Sequence, residues 1–205
     1  MIYPLGGWPF IWPLIAGFFA AHLMGSIPFG LVLTRLAGAG DLRKIGSGNI
    51  GATNVLRTGR KGVAAATLLL DMAKGLVAVL LGWRFGGPDM AVLAAYGAIL
   101  GHCFPVWLRF RGGKGVATFI GVVTGLAWPL GVACACAWLL VAKITRISSA
   151  GGLAAALAAP VAAAVMGDQQ IIEATAAMAV LVWARHWANI RRILKGEEPR
   201  IGEGK

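Results

Sequence analysis

The sequence predicts an all-α integral membrane protein, and three observations carry that prediction. Of its 205 residues, 58% are hydrophobic and only 13% charged, where a soluble domain carries about a quarter charged residues. The apolar residues gather into about seven segments, at roughly 8–37, 62–82, 89–107, 115–127, 129–147, 150–166 and 170–194. A bilayer core takes about 20 helical residues, so the fourth segment is short and the first and last are long. Finally, the lysines and arginines other than Lys74 sit at or near segment ends.

The first segment leads into Asp41 to Gly62, DLRKIGSGNIGATNVLRTGRKG, which is too polar and too rich in glycine to span. Its glycines let backbone N–H groups turn toward a ligand, and its hydroxyls and amides add short donors. The second segment carries Asp71 and Lys74, three apart and therefore on one helix face. Gly86-Gly87-Pro88 reads as an outer turn. The third segment ends in Gly101-His102-Cys103-Phe104-Pro105, before Arg111-Gly112-Gly113-Lys114-Gly115. Trp128-Pro129 separates the fourth segment from the fifth, with Pro129 placed for the first turn of a new helix; alternatively the fourth is a half-helix within one broken span. The run from Gly151 to Ala164 is rich in small residues, which allow close helix approach in lipid. The last segment ends in Arg185-His186-Trp187-Ala188-Asn189-Ile190-Arg191-Arg192. Trp8, Trp12, Trp83, Trp107, Trp128, Trp183 and Trp187 fall near span ends, as an interfacial belt would.

Threading the segments back and forth sets the orientation. Arg43, Lys44, Arg57, Arg60 and Lys61 follow the first; Arg109, Arg111 and Lys114 follow the third; Lys143 and Arg146 follow the fifth. Arg185, Arg191, Arg192, Lys195, Arg200 and Lys205 close the chain, and the opposite ends hold little basic beyond Arg84. With seven spans, every basic cluster lands on one face, which is the cytoplasmic one. The N-terminus is then outside and the C-terminus inside. No basic region precedes the first apolar run, so a cleaved signal peptide is not expected.

The same placement speaks against a nucleic-acid partner. A net charge of +11 would need a basic face on a solvated domain to serve that purpose. Cys103, Cys134 and Cys136 are too few and too embedded for a disulfide framework. Cys134 and Cys136 point about 200° apart on a helix and share no metal-binding face. No metal or cofactor is expected.

Three polar groups remain that topology alone explains poorly. Asp71 and Lys74 either neutralise each other and tether helices, or orient the basic loop above them. Glycines followed by lysine at a helix start favour an anion through free N–H groups, the helix dipole and an ammonium; the plainer reading of GGKG is a flexible basic turn. The spacing is not that of a P-loop. His102 alone reads as a structural histidine, as does His22. His186 and Asn189 share a helix face at i,i+3, and a histidine beside an amide suits a phosphate or a hydroxyl poised for attack. The loops at about 38–61 and 108–114 and the helix end at about 185–196 lie on the same cytoplasmic side. They make a shared site for a strongly anionic substrate, which serves either an enzyme or a membrane transporter for a small phosphate-bearing anion.

Read together, these stretches resemble the acyl-phosphate-dependent glycerol-3-phosphate acyltransferases of bacterial membranes. The resemblance runs through Gly25-Ser26-Ile27-Pro28-Phe29-Gly30, Ser47 to Arg57 (SGNIGATNVLR) and Asp71-Met72-Ala73-Lys74-Gly75. It continues with Gly101 to Pro105, Gly112 to Thr118 (GGKGVAT), and Arg185-His186 through Asn189-Ile190 to Gly196-Glu197-Glu198. It implies a single transmembrane acyltransferase domain over 1–205 in the bacterial plasma (inner) membrane. It implies transfer of a fatty acyl group from acyl phosphate to the 1-hydroxyl of glycerol 3-phosphate, giving lysophosphatidic acid and phosphate. By the same resemblance the catalytic residues are Ser47, Arg57, Lys114, His186 and Asn189. Gly48, Asn49, Thr53, Asn54, Gly112, Gly113 and Gly115 would bind substrate, and Asp71, Lys74 and His102 would support the site.

Overall fold

A computed structural model describes residues 7–202, and the side chain of Trp8 and the residue Lys205 named above lie outside what it describes. Among the described residues the regular structure is helical throughout. The elements are α1 (Gly7–Gly25), α2 (Phe29–Leu36), α3 (Ala52–Leu56), α4 (Lys61–Cys103), α5 (Val116–Leu126), α6 (Trp128–Thr145), α7 (Ser148–Met166), α8 (Gln169–Arg185) and α9 (Trp187–Leu194). Among the described residues, four helical stretches are long and apolar enough to cross a membrane: Pro9–Leu36, Lys61–Leu108, Trp128–Thr145 and Ser148–Met166.

The elements depart from the expected segments at three places. The first segment, expected as one run over 8–37, breaks between α1 and α2. Pro28 there has no N–H to donate, and Ser26 turns its hydroxyl back onto the His22 carbonyl at 2.8 Å. The second and third segments join as α4, whose helical dihedrals fail at one residue, Gly87, with φ 67° and ψ −156°. The chain doubles back there. A β-carbon on Gly82 would stand 2.7 Å from Ala91 Cα, whereas nine residues of continuous helix would separate them by about 13 Å. The expected outer turn is thus a single glycine followed by Pro88.

The fourth segment is α5, of 11 residues, about 16 Å long against a core of about 30 Å. Ala127 is extended between α5 and α6, and Pro129 occupies the first turn of α6, as expected. The last segment, expected to run over 170–194, breaks at His186 into α8 and α9. Both ends of that break matter for the site.

The interior is built from small and β-branched residues around Phe119, Ile99, Leu130, Met178, Val122, Val123 and Val182. Large apolar side chains such as Leu69, Leu139, Leu140, Val161 and Val165 point outward, the arrangement a lipid environment permits. α5 lies tightly against the first half of α4, where a side chain on Gly121 would collide with the Met72 carbonyl. Cys134 is fully buried and Cys136 exposed, on opposite sides of α6 as their spacing requires. At the end of the molecule away from the basic loops, Gln170 donates to Asp89 at 2.8 Å, and Asp168 caps α8 by accepting from Ile171 N–H at 3.1 Å.

A second, smaller cluster consists of Leu31, Leu42, Ile50, Val55 and Ala64. It gives the Asp41–Gly62 loop a core of its own, seated on α2 and the start of α4. The loop is therefore a folded unit rather than a flexible connection.

Candidate active site

The first loop is organised by Asn54, which is 2% exposed. Its side-chain N–H₂ donates toward the carbonyls of Leu42, Ile45 and Asn49 at 2.8–3.0 Å, and its Oδ1 accepts from Ser47 N–H at 3.2 Å. The amide thereby cross-links the turn that displays Ser47 and Gly48. Ser47 itself is exposed. The Arg57 side chain lies under Gly46, where a β-carbon would stand 2.9 Å from Cδ and Nη1. Gly46 and Gly48 have positive φ, 52° and 68°, which favours glycine. Thr53 reaches across the molecule: its hydroxyl lies 3.0 Å from the hydroxyl of Ser148 at the start of α7.

The second loop is held by its own backbone. Gly112 N–H donates to the Cys103 carbonyl and Gly113 N–H to the His102 carbonyl, both at 3.1 Å. These two amides, expected to cradle a phosphate, are spent inside the loop. Their carbonyls are occupied as well, each accepting from Arg185 at 3.1 Å. Side chains are excluded at both positions, since a β-carbon on Gly112 would strike the His102 carbonyl and one on Gly113 would strike His102 Nε2. Gly115 has φ 85° and caps α5, which leaves the first N–H groups of that helix without intrahelical partners. Lys114 and the first N–H groups of α5 are therefore the groups of this loop still able to meet an anion.

Lys114 is half-buried. Burial pushes its ammonium down to about 8; Glu198 opposes that shift, while Arg192, Arg57 and Arg185 add to it. The charges that act on Lys114 thus come from the first loop, α9, the end of α8 and Glu198 of the tail.

The break at His186 presents the third group. His186 is 2% exposed, and its Nδ1 lies 2.8 Å from the Val182 carbonyl. A carbonyl only accepts, so Nδ1 carries the hydrogen and Nε2 of the neutral ring is the acceptor. That edge faces Gly152 of α7, where a β-carbon would stand 3.3 Å from Nε2. Asn189, 4% exposed, donates through Nδ2 to Glu198 Oε1, and its buried Oδ1 has no partner. Glu198 also accepts from Ser149 Oγ and from Arg192 Nε, both at 2.7 Å. Burial alone would raise the Glu198 carboxyl, but hydrogen bonds from Ser149, Asn189 and Arg192 hold it below the usual range.

A family profile described as glycerol-3-phosphate acyltransferase matches residues 15–196 of this chain. The chain belongs to the glycerol-3-phosphate acyltransferase family. A relative of that description from Paramagnetospirillum magneticum is 57% identical over 192 residues, covering 94% of this chain and 96% of the relative. One from Gluconobacter oxydans is 56% identical over 189 residues, covering 88% and 90%. The fold matches a crystal structure described as PlsY (YgiH), an integral membrane glycerol 3-phosphate acyltransferase, in its glycerol 3-phosphate form. The TM-score is 0.88 at 34% identity, over 93% of this chain and 96% of that one. A lysophosphatidic acid form of the same protein matches with a TM-score of 0.84 at 31% identity. This chain is accordingly an integral membrane acyltransferase of phospholipid synthesis.

The three residues expected to support the site of this acyltransferase sit beneath the second loop. Asp71, Lys74 and His102 are 2–5% exposed. Lys74 Nζ lies 2.7 Å from Asp71 Oδ1 and donates to the Ile27 carbonyl, also at 2.7 Å, tying the α1–α2 break to α4. His102 Nδ1 is 3.7 Å from Asp71 Oδ1, too long for a hydrogen bond. Arg185 and Glu198 lie in the stretches that carry the resemblance but are not among the expected site residues. Their roles come from partners distant in the chain or across the α9 end, Gly112 and Gly113 for Arg185 and Ser149, Asn189 and Arg192 for Glu198.

Proposed function

We infer that this acyltransferase moves a fatty acyl group from an acyl phosphate to the 1-hydroxyl of glycerol 3-phosphate. The products are 1-acyl-glycerol 3-phosphate (lysophosphatidic acid) and inorganic phosphate. The observation that carries this reading is that Arg185 ties the loop bearing Lys114 to the α8–α9 junction, where His186 stands with Nδ1 on the Val182 carbonyl and Asn189 and Arg192 are held by Glu198. Both substrates bear phosphate, and such a cluster balances several negative charges where few water molecules help.

In the proposed step the 1-hydroxyl oxygen of glycerol 3-phosphate attacks the acyl carbonyl carbon. The new ester bond forms as the bond from that carbon to the phosphate oxygen breaks, and phosphate leaves with the electron pair. The hydroxyl proton passes to His186 Nε2 or to a phosphate oxygen of the substrates. Lys114 and Arg57 stabilise the charge that develops on the carbonyl and leaving oxygens. Asn189, locked by Glu198, offers Oδ1 to a substrate hydroxyl, and Ser47 offers its hydroxyl at the mouth of the site. Gly48, Asn49, Thr53 and Asn54 shape the first loop, and Gly112, Gly113 and Gly115 the second. Phosphate is already a good leaving group, so no acylated Ser47 is needed. Intact-mass measurement after mixing with donor alone is expected to find no acyl adduct.

The membrane arrangement proposed with it has seven spans. α4 contributes two, on either side of Gly87, and the short α5 completes one. The N-terminus is outside, and the site faces the cytoplasm at the plasma (inner) membrane of a bacterium. The grouping of basic residues at one end of the fold supports this orientation.

The deciding assay measures phosphate release by the purified full chain. Release from an acyl phosphate is expected only with glycerol 3-phosphate present, with lysophosphatidic acid formed in equal amount. Transfer from acyl-CoA but not from acyl phosphate would overturn the donor assignment. Uptake of glycerol 3-phosphate into vesicles without acyl transfer would overturn the enzyme reading itself.

A further inference from the structure

Gly112 and Gly113 stand immediately before Lys114, and their backbone is gripped from two sides. On one side Arg185 donates Nε to the Gly113 carbonyl and Nη2 to the Gly112 carbonyl, both at 3.1 Å. Its guanidinium carbon lies 5.2 Å from the centre of the Phe104 ring, a cation–π contact that steadies the fork. On the other side the two glycine amides donate to Cys103 and His102 carbonyls. The His102 ring fills the space that a Gly113 side chain would need. Behind His102 stands Asp71, itself paired with Lys74. The double glycine is thus a strut clamped between α8 and the end of α4.

An arginine whose Nε and Nη2 are committed to two consecutive carbonyls cannot turn that fork to a phosphate without releasing the strut. We propose that Arg185 is a positioning residue: it fixes the Gly112-Gly113 backbone and thereby aims Lys114 and the start of α5 at the substrate phosphate, without binding substrate itself. This assignment rests on the glycerol 3-phosphate reading given above. It separates two roles that an arginine in a cationic site would otherwise share. A ligand role needs mainly the positive charge, which lysine keeps. A positioning role needs the planar fork, which lysine lacks.

The test is equilibrium binding of glycerol 3-phosphate to the purified full chain in detergent, with Tm recorded for each variant. Arg185→Gln and Arg185→Lys are both expected to weaken binding by about tenfold, because each loses the fork. In a Lys114→Ala background, Arg185→Gln is expected to add less than about twofold, since the group it aims is gone. Near-wild-type affinity in Arg185→Lys would overturn the assignment in favour of a charge-based ligand. So would a full tenfold effect persisting in the Lys114→Ala background, which would mean that Arg185 acts independently of Lys114. If Arg185→Gln does not survive purification, Arg185→Lys alone carries the comparison, in both backgrounds. Wild-type protein that binds no glycerol 3-phosphate would instead overturn the substrate reading, and this assignment with it.

Discussion

At the scale of single residues, Lys114 and Gly113 show how burial and close packing set chemistry. Lys114 is a half-buried cation, and Lys114→Ala is expected to lose more than about tenfold in kcat/KM, the equivalent of one charge-assisted contact. Its ammonium is held down to about 8, so the charged form is present below that pH and is lost as pH rises through it. A plot of kcat/KM against pH, which reports the free enzyme, is expected to fall on the alkaline side near 8. Lys114→Arg should remove that fall, because arginine stays charged. Gly113 has a different constraint. Gly113→Ala forces a methyl group into His102 Nε2, and the loop must move. The expected outcome is a raised KM for glycerol 3-phosphate with a smaller change in kcat, read from initial rates at varied substrate.

At the scale of elements, Glu198 joins three of them. Its carboxylate takes hydrogen bonds from Ser149 at the start of α7 and from Asn189 and Arg192 of α9, and it stands on the C-terminal tail. The tail is fastened again beyond it, where Ile201 N–H donates to the Arg146 carbonyl and Arg146 returns a bond to the Ile201 carbonyl at 3.0 Å. Glu198→Ala leaves buried donors unpaired, at about 1–3 kcal/mol each before relaxation. It is expected to lower Tm in a detergent thermal-shift assay and to reduce kcat, because Asn189 loses the bond that fixes its amide. Glu198→Gln keeps an acceptor for Ser149 and should be the milder change in both measurements.

At the scale of the whole molecule, one glycine and a set of charges decide the architecture. Gly87 adopts φ 67° and ψ −156°, a region that side chains disfavour, so Gly87→Ala is expected to destabilise by about 1–3 kcal/mol. A lowered Tm with kcat retained at low temperature would place the effect in the fold rather than the site. The proposed orientation has its own check. A single cysteine placed at Pro88 should react with a membrane-impermeant maleimide in intact cells, and one at Arg60 only after lysis. Labelling at Arg60 from outside would reverse the orientation.

Hydropathy and charge alone determined that the chain is a helical membrane protein and which loops gather at one end, but not the breaks after Gly25 and at His186 that divide the first and last segments. Physically, both determinations follow from local quantities: apolar runs long enough for a bilayer, and cations that remain at its surface. The family resemblance named Ser47, Arg57, Lys114, His186 and Asn189 as the expected catalytic residues. The tertiary structure decided what each does beside its neighbours. Asn54 and the Gly112-Gly113 amides looked like ligand groups, yet their hydrogen bonds close within the loops. Leu42, Ile50 and Val55 looked incidental, yet they bury the core that folds the first loop. Arg185 and Glu198 were not among the expected site residues, yet one grips the second loop and the other joins α7 to α9. A hydrogen-bonding group can be spent on its own loop or offered to a ligand. That choice depends on partners up to 95 positions away along the chain, which no local pattern records.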